Sequence, residues 1–140
     1  MMDARLIEKR LAWIEAGCER LRRLAKPDRI ADDEVQRAFV EHNLQTAIQA
    51  AIDIATLILG ERKLGEPDST RSMFRLLAHD GWVTNEQADV WRRIVGFRNI
   101  VVHRYLDVDP AIVRAVLVTN LDDFGRFVRS VRDRLAELAS

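Results

Sequence analysis

From Val113 to Leu138 the apolar residues Val113, Val116, Leu117, Leu121, Phe124, Phe127, Val128, Val131, Leu135 and Leu138 recur at the spacing of one helix face. A half-buried strand would instead alternate at every second residue. Asp109-Pro110 opens the segment, with a capping carboxylate followed by proline at the first helical position. A helix this long cannot stay in water alone. It must bury its stripe against others.

The same period recurs upstream. Leu6, Ile7, Leu11, Ile14, Leu21 and Leu24 predict a helix from Asp3 to Leu24, closed by Pro27. A second helix is predicted from Asp32 or Asp33 to Leu59, with Gly60 as its C-cap. Ala47, Ala50, Ala51 and Ala55 keep one side small enough for a neighbouring helix to approach closely. Glu61 to Ser69 reads as a polar, mobile loop, and Thr70 to His79 as a short helix ended by Asp80-Gly81. Thr84, with Gln87 three positions on, forms a capping box for a helix running through Val102 and fraying or bending at His103 to Asp107. Short connections favour antiparallel neighbours. The expected fold is all-α, an up-and-down four-helix bundle with one extra short helix, in a single domain spanning 1–140.

Composition narrows the class. Lys+Arg and Asp+Glu both number 22, so any nucleic-acid contact must rest on a local patch rather than on net charge. The single cysteine, Cys18, excludes an intrachain disulfide and reads as a small buried residue in a reducing compartment. The N-terminus is amphipathic without a secretion signal. The most apolar run, Ala50 to Leu59, is too short to span a bilayer and contains Asp53. The expectation is a cytoplasmic protein with no membrane partner.

The chemistry lies in FRNIVVHRYLDVDP, Phe97 to Pro110, where Arg98, Asn99, His103 and Tyr105 stand in the order R-N-x-x-x-H-x-Y. This order resembles the signature of the HEPN superfamily, an arginine, then a polar residue, then a histidine about a turn later. The added tyrosine resembles the HepT-like branch, toxins of two-gene toxin–antitoxin modules, as does the second-helix stretch EHNLQTAIQAAIDIA. The resemblance implies a HEPN-like bundle, a toxin ribonuclease of a type VII-like system, and a motif placed at a homodimer interface. It also implies a cognate partner, an MntA-like nucleotidyltransferase antitoxin that adenylylates Tyr105. The added bulk and negative phosphate beside Arg98 and His103 would exclude RNA.

RNA is cleaved when its 2′-hydroxyl attacks the neighbouring phosphate. The reaction needs a base, an acid and positive charge at the phosphate. His103 can serve as base or acid near neutral pH, and Arg98 offers a permanently charged fork. Neither needs a metal or a cofactor, and none is expected. One chain supplies one such histidine, so a two-fold axis beside the motif would complete the site. On a straight helix Arg98 and Tyr105 share a face and His103 falls near Asn99, well round from Arg98. Arg98 and His103 therefore converge only if the helix distorts or two chains meet. Asn99 is placed to hydrogen-bond His103, to touch RNA, or to bond locally to backbone.

The alternative is a non-catalytic binding module, a helical scaffold for a nucleotidyltransferase or nucleotide, which the balanced charge favours. A structural bundle carrying the motif by chance is the remaining reading. His42 and His79 lack a second ligand at metal spacing. Asp53, inside an apolar stripe, either pairs with an arginine of the motif helix or faces water. Trp13, Trp82 and Trp91 read as core or interface anchors rather than base-stacking platforms. Arg126, Arg129, Arg132 and Arg134 read as a solvated face, while Arg92, Arg93 and Arg104 lie where they could extend an RNA path.

Overall fold

The computed structural model describes residues 3–103 and 108–140. Five helices follow in chain order: α1 (Ala4–Leu24), α2 (Glu34–Glu61), α3 (Met73–His79), α4 (Asn85–His103) and α5 (Pro110–Ala139). Single 3₁₀ turns, Pro27–Arg29 and Thr70–Ser72, sit in two of the connections. The fold is the expected all-α bundle, with α2 touching every other helix. Among the described residues no helix is long and apolar enough to cross a membrane.

The helix starts follow local side-chain chemistry. Asp33 accepts from the amides of Val35 and Gln36, and Asp109 from that of Ala111. Thr84 and Gln87 exchange hydrogen bonds of 2.7 and 3.0 Å, the reciprocal capping box. The end of α2 departs from expectation. Gly60 lies inside the helix, which continues to Glu61. The left-handed residue is Lys63, at φ 53°. The Leu64 amide reaches back to the Leu59 carbonyl at 3.0 Å, and that of Lys63 to Gly60 at 3.4 Å. This is a Schellman closure, and it carries Leu64 back onto the core. The left-handed turn at Lys63 and the partial burial of Leu64 accompany the stop, which glycine placement alone could not locate.

The core is centred on α2, where Leu44, Ile48, Ala51, Ile54, Ala55 and Ile58 are fully buried. Over it lies an aromatic cluster. Trp91 of α4 stacks on Phe74 at 5.1 Å and on Phe124 at 5.2 Å, and tilts against Phe127 at 5.0 Å. These contacts fix α4 two turns before Arg98. Trp82 is also fully buried, with its indole N–H on Asp80 at 2.9 Å. Trp13, by contrast, is 58% exposed, so it is no core anchor. It stands one position off the α1 stripe of Ile7, Leu11, Ile14, Cys18 and Leu21. Burial pushes the Cys18 thiol up to about 11, away from thiolate chemistry.

The arginines of α5 are more than a solvated face. Arg132 grips Glu15 at 2.7 Å and Glu8 at 3.0 Å, tying α5 to α1. That hydrogen bond holds the Glu15 carboxyl below its usual range. Arg134 donates to the Asp80 carbonyl at 3.1 Å and lies 5.9 Å from the Trp82 ring centre.

Candidate functional site

The described part of the motif, Arg98 to His103, occupies the last two turns of α4. Phe97 and Val101, four apart, are buried and set the helix rotation. That rotation sends Arg98 toward α2 and leaves Asn99 and His103 facing a cleft against α5. The Arg98 guanidinium donates through Nη2 to Oε1 of Gln49 on α2, and through Nη1 to Oδ1 of Asn99 at 3.3 Å. Its Nε is buried without a partner. Gln49 in turn donates to Asp53 Oδ1 at 2.9 Å, and Arg10 of α1 donates to Asp53 Oδ2 at 3.4 Å. A chain of polar groups therefore runs from α4 through α2 to α1. Asp53 holds the Gln49 amide with its nitrogen inward, which turns the oxygen toward Arg98.

Two expectations are adjusted by this chain. Asp53 pairs with an arginine of α1, Arg10, and reaches the motif arginine only through Gln49. The Asn99 side-chain oxygen serves Arg98, not His103.

His103 is exposed at the end of α4. It lines an open cleft of about 870 Å³ together with Asn99, Arg71, Arg93, Asp109 and Asn120. The cleft wall is otherwise apolar, and Ile100 and Ile112 there are each 42% exposed. Arg98 does not line it. Within one chain the structure thus separates Arg98 from His103, as the five-residue spacing on a regular helix requires. Asn99 touches both: it bonds to Arg98 and lines the His103 cleft. Tyr105 and Arg104 lie outside the described residues.

Sequence reasoning missed Gln49 and Arg71. Arg71, on the 3₁₀ turn before α3, lays its guanidinium over Gly96, where a Cβ would stand 3.6 Å from it. A glycine inside a helix was the available signal, because it lets another chain segment approach closely. Arg71 continues as a basic strip through Arg75 and Arg92, which line a second cleft with His79 and Asp89. Among the described residues Arg71, Arg75, Arg92 and Arg93 enter no ion pair, whereas Arg22, Arg62, Arg114, Arg126 and Arg132 do. Net charge is zero, yet these arginines, unpaired among the described residues, put positive charge on the face next to the motif. No cluster of three metal-ligating side chains occurs among the described residues.

With this geometry in hand, the likeness to known proteins is specific. Residues 14–131 match the family model described as ribonuclease HepT-like, and the chain belongs to that family. It is 39% identical over 90 residues to the mRNA nuclease HepT of Shewanella oneidensis, covering 64% of this chain and 68% of the relative. It is 31% identical over 136 residues to the tRNA nuclease HepT of Aphanizomenon flos-aquae, covering 95% and 92%. Among solved structures, it superposes on the tri-AMPylated Shewanella oneidensis HEPN toxin in complex with its MNT antitoxin. The TM-score is 0.84 at 32% identity, over 95% of this chain and 99% of the toxin.

Proposed function

We propose that the protein is a toxin endoribonuclease of the cytoplasm, cleaving RNA by metal-independent transesterification at a site completed by a second copy of the chain. The observation that carries this reading is the open cleft around His103, which Arg71 and Arg93 also line, with Arg98 held one side chain away through Asn99. His103 moves the proton at the 2′-oxygen or at the leaving oxygen, Arg98 clamps the phosphate, and Asn99 links the two. The exposed Ile100, Val102 and Ile112 beside the histidine suit coverage by a second copy. Two His103 side chains would then supply base and acid. Arg71, Arg92 and Arg93 extend the path for the phosphate backbone.

The regulatory partner in this reading is an MntA-like nucleotidyltransferase antitoxin that adenylylates Tyr105. The relatives named as nucleases and the AMPylated toxin complex support it. The test is cleavage of cellular RNA by the purified protein in chelator, alone and with Arg98→Ala or His103→Ala. Removing one acid–base group should slow cleavage by roughly 10²–10⁴-fold. Parent-like cleavage by both variants would refute the assignment. An intact protein that leaves diverse RNAs whole while binding a nucleotidyltransferase tightly would favour the scaffold reading.

A further inference from the structure

The cavity between α1 and α2 takes no part in the chemistry above, yet it shares a wall with Arg98. Its volume is about 420 Å³, enough for one nucleotide-sized group, and its lining includes Lys9, Arg10, Trp13, Thr46, Gln49 and Asp53. Trp13 stands 58% exposed at this cavity, while Trp82 and Trp91 are wholly buried. The exposed ring thus lines a hollow, with its π-face chemistry available to a ligand there.

The polar groups of the wall are already committed. The Thr46 hydroxyl donates to the Asn43 carbonyl at 3.2 Å. Gln49 gives its nitrogen to Asp53 and its oxygen to Arg98. Asp53 receives Arg10 on its other oxygen. Little remains to read the edge of a ligand. What stays exposed is the Trp13 side chain, with Lys9 and Arg10 set against the single carboxylate of Asp53. An aromatic face, a local surplus of positive charge and no free edge-reading groups suit a stacked base with its phosphate, held with little regard to base identity. An apolar protein side chain would use the ring but leave the Lys9 ammonium idle. Gln49 gives the position: the cavity begins one side chain from the Arg98 guanidinium.

We infer that the α1–α2 cavity is a sequence-tolerant nucleotide subsite, in which an unpaired RNA base near the scissile bond stacks on Trp13 and its phosphate lies against Lys9 and Arg10. The inference rests on the ribonuclease reading. It also gives the enzyme a preference for single strands, because a paired base has no free face to offer an indole.

The experiment uses the full chain and its His103→Ala form with uridine and adenosine homopolymers and an RNA duplex. Single strands should quench the emission of Trp13, seen as the difference between His103→Ala and His103→Ala/Trp13→Phe. Trp13→Ala should weaken binding of both homopolymers roughly 5- to 150-fold, the worth of one stacked base, and Trp13→Phe should restore most of it. On the cleaving protein the loss should fall in KM. Unchanged affinity and KM in Trp13→Ala would overturn the subsite. So would loss of one homopolymer alone, or unchanged RNA affinity with loss of self-association in sedimentation. A failed ribonuclease reading looks different: parent and His103→Ala are equally inert toward RNA, while the binding and quenching arms still decide the subsite.

Discussion

Asp80 ends α3 and fixes where the chain turns into the motif helix, and its removal can be worked through from its contacts. Its carboxylate accepts from Arg62 at 2.8 and 3.2 Å and from the Trp82 indole at 2.9 Å. Trp82 is fully buried, so Asp80→Ala leaves its N–H without an acceptor, a cost of about 1–3 kcal/mol. For a domain of 140 residues that lowers Tm by about 4–12 °C. Asp80→Asn keeps an oxygen for the indole and loses only the charged fork, so it should fall well short of the alanine variant. The Arg62 hydrogen bond is the main cause holding the Asp80 carboxyl below its usual range. Burial opposes it, and the Trp82 bond assists. A carboxyl lowered in the folded state contributes stability above the unfolded value, about 3.9, and loses it as pH falls through the folded value. Parent and Asp80→Asn should therefore converge in acid. Thermal melts by circular dichroism at neutral pH and in steps below about pH 4, to the lowest pH at which the parent stays folded, measure both effects. Equal destabilisation by alanine and asparagine at neutral pH, or a parent–asparagine gap that persists in acid, would refute the reasoning.

Two further outcomes follow from the geometry. Gln49→Leu removes the acceptor that orients Arg98, so RNA cleavage should fall about tenfold or more at temperatures well below its Tm, and Gln49→Asn should not rescue it because its amide is one carbon too short; turnover measured beside a thermal melt separates this from unfolding. Lys63→Gly should raise stability by about 0.5–1 kcal/mol in urea titration, because glycine adopts the left-handed conformation without the steric cost lysine bears there.

What the sequence made legible was local. Asp33, the Thr84–Gln87 pair and Asp109-Pro110 act within four residues of themselves, so their caps could be read directly. The apolar stripe of α5 likewise named residues that are buried from Val113 to Val131, but at the C-terminal end Leu135 is only partly buried and Leu138 is 40% exposed. The stop of α2 was not legible, because the left-handed turn falls at Lys63 and not at Gly60. The three tryptophans look alike as residues, yet Trp13 falls outside the α1 stripe and its exposure could have been deduced from that register. The site shows the same division. The separation of Arg98 from His103 is a property of helix spacing and was foreseen. The partners of Arg98 were not, because Gln49 lies 49 residues away and Arg10 reaches Asp53 across 43. No periodicity reports which polar side chains of packed helices will meet.

The grip of Arg132 on α1 has a kinetic meaning. It joins residues 117 and 124 apart in a chain of 140, so it closes a loop of nearly the whole protein. Closing so long a loop costs entropy that packing of the intervening helices must repay, so the contact is expected to form late in folding. Its contribution therefore falls on the rate of unfolding rather than of folding. The first helix, which carries Lys9, Arg10 and Trp13, is thus tied directly to the last, so Arg132→Ala should show its main effect in the unfolding rate.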